Sequence, residues 1–210
     1  MIFGAGGHAT SVADAALSSG WDIHAFLDDH REGASLLDRP VRRGFAQVFD
    51  PDAHALVLAV GDNFRRERIF EDLARDLPTL VTPAIIHRTA FVSPHATVGP
   101  GSVILAMSVI GPNSSVGRLC IVNTRASLDH DCRMEDFASL APGTTTGGTV
   151  SLGRRSAISM GATVKHGVRV GQDTVVGAAS YVHRDLGDNV VAYGCPARIV
   201  RNRQAGDPYL

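Results

Sequence analysis

His130, Asp131 and Gly148 are the residues whose types and spacing most directly suggest chemistry. An imidazole titrates near neutral pH and can take a proton from a nucleophile. A carboxylate beside it can hold one ring tautomer, and a glycine exposes its backbone N–H with no side chain in front of it. Gly148 stands eighteen residues after His130. If the fold stacks residues at that interval, a base faces an amide able to stabilise an oxyanion, which is the equipment of acyl transfer. Direct attack on the acyl group is favoured over an acyl-enzyme, because no cysteine occupies an outward position beside His130. The bland alternative for the His-Asp pair is a solvated turn.

A repeat supplies the stacking. From Ile86 onward an apolar residue recurs at every sixth position, through Val92, Val98, Ile104, Ile110, Val116, Val122, Leu128, Met134 and Leu140 to Leu152, Ile158, Val164, Val170, Val176 and Val182. Thr146 is the one interruption. A small residue follows four places later, as at Ala90, Ser102, Cys120, Ala126, Cys132 and Ala138. Three such hexads make one triangular coil of about 18 residues, with the apolar and the small residue inward and the corners turning on Gly, Asn or Asp. This is a parallel β-helix over residues 83–203, and its left hand is taken from the known hexapeptide fold. Positions 112, 130, 148, 166 and 184 then share one edge and read Pro112, His130, Gly148, His166 and Arg184. His130, third in its hexad, points outward at a corner.

Residues 1–82 obey another rule. A short strand (Ile2, Phe3) leads through Gly4 to Gly7 into a helix from about His8 to Ser19, then a strand from about Ile23 to Leu27 that ends in Asp28-Asp29. A further apolar run, Ala55 to Val60, reaches Gly61-Asp62-Asn63 and a polar helix from about Arg65 to Asp76. The expectation is a Rossmann-like α/β half-domain, with Pro78 and Pro83 marking the linker and residues 204–210 forming a tail. Gly4, Gly6 and Ala9 satisfy the dinucleotide pattern, but about 80 residues supply one mononucleotide half. A single nucleotide fits better, with the Gly6 and Gly7 amides on phosphate at a helix start and Asp28 or Asp29 accepting from a hydroxyl or base. His8 is either a cap or a ligand contact.

Other classes are set aside on composition. A net charge of −1 argues against a nucleic-acid partner, and no run of about 18 apolar residues marks a membrane span. The opening MIFGAGG lacks a basic, apolar leader, so a cytoplasmic location is expected. Cys120 and Cys132 fall on inward positions as filler. Zinc is disfavoured, since His130 and His166 lie two coils, about 9 to 10 Å, apart and no third histidine follows.

Taken together, GAGGH at the start, Asp28-Asp29, Val60-Gly61-Asp62-Asn63, the stretch from Asn123 through Cys132, Pro142-Gly143 and the closing Gly194-Cys195-Pro196-Ala197-Arg198 are specific. On these the chain resembles the sialic acid O-acetyltransferase and UDP-4-amino-sugar N-acetyltransferase family. The resemblance implies a homotrimer with acetyl-CoA as co-substrate and no metal, and an acetyl group passed to the amine of a nucleotide-linked amino sugar. It casts His130 as general base, Asp131 as the carboxylate that raises its basicity and Gly148 as oxyanion amide. Gly6, Gly7, His8, Asp28, Asp29 and Gly61 would hold the nucleotide sugar, while Met160 and Ala178 would meet the CoA arm. Ser139 stands where relatives often carry a second histidine and would offer its hydroxyl to acetyl-CoA. O-acetylation of a sialic acid and a non-catalytic sugar-nucleotide-binding scaffold are the alternative readings.

Overall fold

The computed structural model describes residues 1–209. Its first part is a five-stranded sheet in the order β3-β4-β2-β1-β5. The strands are β1 (Ile2–Phe3), β2 (Phe26–Leu27), β3 (Ser35–Leu36), β4 (Arg39–Arg42) and β5 (Val57–Leu58), with helices α1 (Gly7–Ser18), α2 (Phe45–Val48) and α3 (Asn63–Asp76). β1, lying between β2 and β5, runs parallel to both, as the alternating strand and helix pattern requires. α1 buries Ala9, Val12, Ala13, Ala15 and Ala16, and this face of small residues packs with Ile85, Val103 and Leu105 of the second part.

The β3–β4 hairpin and α2 are absent from the expected elements. The hairpin turns at Leu37 and Asp38, both left-handed at φ 47° and 59°, as a two-residue turn of this hand demands. That turn is normally signalled by Asn-Gly or Asp-Gly, so Leu-Asp hides it. α3 begins two residues before the expected Arg65, because Asp62 caps it by accepting the Arg65 N–H at 2.8 Å.

The second part is a left-handed parallel β-helix. Two-residue strands recur every six residues from Ile85–Ile86 to Tyr181–Val182, and each pairs in parallel with the strand 18 positions on, as Ile121 does with Ser139 and Val109 with Ser127. Three faces result: the first carries Ile121, Ser139 and Ala157, the second Val109, Ser127 and Thr145, the third Ser115, Arg133 and Ser151. A closing hairpin, Val190–Gly194 with Ala197–Asn202, extends the first face. The repeat's apolar residues fill the bore from Ile104 to Val182, each worth about 1.5–3 kcal/mol of burial.

The corners depart from expectation in composition. Left-handed backbone recurs at every sixth position from Gly101 to Ala179, yet it falls on Met107, Leu119, Arg125, Phe137, Thr149 and Arg155 as well as on Asn113, Asp131 and Asp173. Ladder hydrogen bonds on both sides of each corner hold these residues where their own preference would not. Leu119 and Phe137 are bulky for a functional reason: they are fully buried under the N-terminal part, packed with Leu56, Leu58 and Phe70.

Candidate active site

At the corner between the second and third faces, His130 Nδ1 lies 2.7 Å from Asp131 Oδ2. A carboxylate only accepts, so Nδ1 carries the proton and Nε2 of the neutral ring is left able to accept one. Asp131 reaches back onto the preceding ring because its own φ is +56°. Asn113, one coil earlier, donates to its other oxygen at 3.1 Å, and the His130 N–H donates to Asp129 at 2.8 Å. The bond to Asp131 is the largest cause that pushes the His130 pKa above its ordinary value, and the same bond holds Asp131 below its own. Burial in the half-exposed corner opposes the His130 shift without reversing it.

Gly148 faces this ring, one coil on. A Cβ there would lie 2.3 Å from His130 Cε1 and 2.4 Å from Nε2, so the imidazole rests where any side chain would stand. The Gly148 N–H finds no acceptor among the described residues, while Thr149 beside it donates to the His130 carbonyl. Thr146, the break in the repeat, also belongs to this corner: its buried Oγ1 accepts the Asp129 N–H at 3.1 Å, a bond no aliphatic residue could make. Cys132 is buried here too, next to Thr146 and the Gly147 carbonyl.

A second cluster forms in the N-terminal part. Gly6, Gly7, His8, Asp28, Asp29 and Gly61 all line one cavity of about 560 Å³, joined by Phe45 and Arg65. Gly6 precedes α1 with no side-chain cap and no acid in the first turn, which leaves amides for an anion. Gly4 sits at φ +105°, and a Cβ there would stand only 3.1 Å from Ala59 O, so conformation and space both call for glycine. Asp28 serves the backbone with both oxygens, accepting Ala5 N–H at 3.0 Å and His30 N–H at 2.9 Å, so it shapes the cavity before it meets any ligand. Asp29 commits one oxygen, to Gly44 N–H at 3.1 Å, and keeps the other. Burial, and secondarily the Arg66 charge, press the His8 pKa down to about 4, so the ring is neutral near pH 7; its buried Nε2 has no partner.

His8 and Gly61 also line a groove of about 510 Å³ along the corner between the first and second faces, together with Ser139, Met160 and Ala178. Small and apolar walls, Ala141, Pro142 and Ala157, suit a thin arm such as pantetheine. The two cavities thus share a wall, whereas His130, Asp131 and Gly148 line neither. One copy of the chain does not bring its own His130 to its own groove.

Three residues to which sequence reasoning gave no role of their own hold this junction. Fully buried Arg66 donates to the carbonyls of Val60, Gly61, Leu119 and Phe137 and to Asn63 Oδ1, with distances of 2.7 to 3.1 Å. It ties the Gly61 loop to two β-helix corners without a carboxylate partner. Asn63 donates from Nδ2 to Ser139 Oγ at 3.0 Å and from its backbone N–H to Tyr209 Oη at 2.9 Å. The one available signal was the bulk of Leu119 and Phe137, eighteen residues apart at outward corners. Among the described residues no three His, Cys, Asp or Glu side chains gather as a metal site would need, and no helix is long and apolar enough to cross a membrane.

Residues 1–73 match the PglD N-terminal domain family. A histidine variant of perosamine N-acetyltransferase from Caulobacter crescentus, solved with CoA and GDP-perosamine, is 35 % identical over 96 % of each chain with a TM-score of 0.89. The acetyltransferase domain of PglB from Neisseria gonorrhoeae, in complex with acetyl coenzyme A, is 34 % identical over 95 % of this chain and 97 % of that one, with a TM-score of 0.90. Among curated proteins, GDP-perosamine N-acetyltransferase of Escherichia coli is 27 % identical over 111 residues, which is 53 % of this chain and about half, 49 %, of that protein. With over a third of its residues identical along nearly the full length of the Caulobacter enzyme, the chain belongs to the hexapeptide-repeat N-acetyltransferases of nucleotide-linked 4-amino sugars.

Proposed function

We propose that the chain moves an acetyl group from acetyl-CoA to the amine of a nucleotide-linked 4-amino sugar. The observation that carries this is the wall of His8 and Gly61, shared by a nucleotide-sized cavity and a narrow groove. The sugar diphosphate lies against the Gly6 and Gly7 amides, and the free oxygen of Asp29 accepts from the nucleoside. The arm of the donor lies along Ser139, Met160 and Ala178. His130 Nε2 takes a proton as the amine nitrogen attacks the thioester carbon, and the Gly148 N–H receives the oxyanion that develops. The C–S bond then breaks and the imidazolium returns its proton to the leaving thiolate, which closes the balance. Asp131 steadies the imidazolium throughout.

The site is completed by a second copy of the chain, in a homotrimer. The His130 corner and the groove flank the same second face, so a neighbour set against that face offers its base to this groove. Exposed Phe91, Val109 and Tyr181 give the second face its apolar character.

A thiol-release assay with acetyl-CoA against GDP- and UDP-linked 4-amino sugars and free sialic acid tests the proposal, with GDP-perosamine first. Turnover of one amino sugar that collapses in His130→Ala is expected. Release with sialic acid alone would move the reading to O-acetylation, and release with nothing would leave a binding scaffold.

A further inference from the structure

The C-terminal tail is built into the groove. Buried Arg203 donates to Asp173 O at 2.8 Å and to Asp207 O, and its guanidinium lies 5.4 Å from the Tyr209 ring. Gln204 and Asp207 close a turn on each other, and Gly206 packs on Phe64 of α3 so closely that a Cβ would be 3.1 Å from its ring. This turn carries Tyr209 back over the start of α3, where its Oη accepts the Asn63 N–H at 2.9 Å. Its oxygen also meets the Ser139 hydroxyl, so the phenol O–H stands between Ser139 and the groove. Tyr209 lines the groove beside His8, Gly61 and Ser139 and has no place in the nucleotide cavity.

We propose that Tyr209 is a ligand-contacting residue of the acyl-transfer site, its O–H donating to a carbonyl of the pantetheine arm of CoA. Asn63 is the positioning residue, since its backbone N–H orients Tyr209 and its side chain orients Ser139 from one point. The tail therefore acts as a clamp on the arm and not on the sugar nucleotide. This rests on the groove being the donor's site.

The test is titration calorimetry of the full chain and of Tyr209→Phe with CoA and, separately, with adenosine 3′,5′-bisphosphate, which has the nucleotide end of CoA without the arm. Loss of one neutral hydrogen bond predicts CoA binding weaker by roughly three- to tenfold, with binding of the armless nucleotide unchanged. In turnover, the KM for acetyl-CoA rises while that for the sugar nucleotide stays. Equal weakening of both ligands, or unchanged CoA affinity with only a lowered Tm, would reduce Tyr209 to a structural prop and overturn the proposal. If the wild-type chain binds no CoA, the donor reading of the groove falls with it; if the wild type binds CoA and the variant matches it, the tail proposal fails alone.

Discussion

Replacing Gly148 by alanine should disable catalysis while leaving the fold intact. The added Cβ would stand 2.3 Å from His130 Cε1, against the 3.4 Å at which ordinary contact begins, so the ring must retreat by roughly 1 Å. The ring is the mobile end of a half-exposed side chain, so it yields more cheaply than the backbone, whose Thr149 N–H and Gly148 carbonyl are tied to neighbouring coils. Retreat takes Nδ1 off Asp131 and moves Nε2 from the reacting amine. A misplacement of that size costs on the order of 10²-fold in rate. The assay is kcat with acetyl-CoA and the preferred amino sugar, alongside Tm and an NMR titration of the histidine ring. The expected result is a fall of about 100-fold in kcat, a Tm within a few degrees of wild type, and a His130 pKa that drops back toward its ordinary value. If the damage passes through the ring, His130→Ala with Gly148→Ala together should be no worse than His130→Ala alone. Gly148→Ala turnover within threefold of wild type, in a protein where His130→Ala is inactive, would refute the reasoning.

Asp131→Asn removes the main cause that raises the His130 pKa, so the ring deprotonates at lower pH: the acid limb of kcat/KM should shift to lower pH and the plateau should fall, as a pH–rate profile would show. Arg66→Ala strips the donor from four backbone carbonyls and the Asn63 side chain in a buried junction, at a cost of at least ~3 kcal/mol, measurable by urea denaturation. His8 is neutral in the fold with a pKa about 4, below its unfolded value; its contribution to stability is full above about pH 6.5 and is lost as pH falls toward 4, which a Tm series for wild type and His8→Gln would reveal. If the second face is the interface of the proposed homotrimer, Val109→Glu there should leave the chain monomeric and abolish turnover while sparing CoA binding, by analytical ultracentrifugation and calorimetry.

The six-residue period was enough to establish the β-helix, since inward and outward positions in a stacked coil depend on register alone and register is written in the chain. The same register set His130 opposite Gly148, so the juxtaposition of histidine and glycine was legible before any coordinates; Thr146 showed only as a break in the repeat, and its bond to the Asp129 N–H came from the structure. In the N-terminal part, the glycine turn and the two aspartates located a nucleotide-sized cavity, because helix starts and strand ends display their backbone groups by local rules. Local rules did not reach the hairpin at Leu37-Asp38, whose turn residues lack the usual signal, or the left-handed corners at Leu119 and Phe137, which are held by ladders from neighbouring coils. Nor did they reach Arg66, Asn63 and Tyr209. An arginine in a polar helix and a tyrosine near the chain's end look like surface residues until the two parts dock. Those of their hydrogen bonds that reach the β-helix or the tail span from 53 to 146 positions of sequence, and contacts that distant leave no period to read. Only the tertiary structure decided that the nucleotide cavity and the groove share His8 and Gly61, and that His130 stands on a different edge from both.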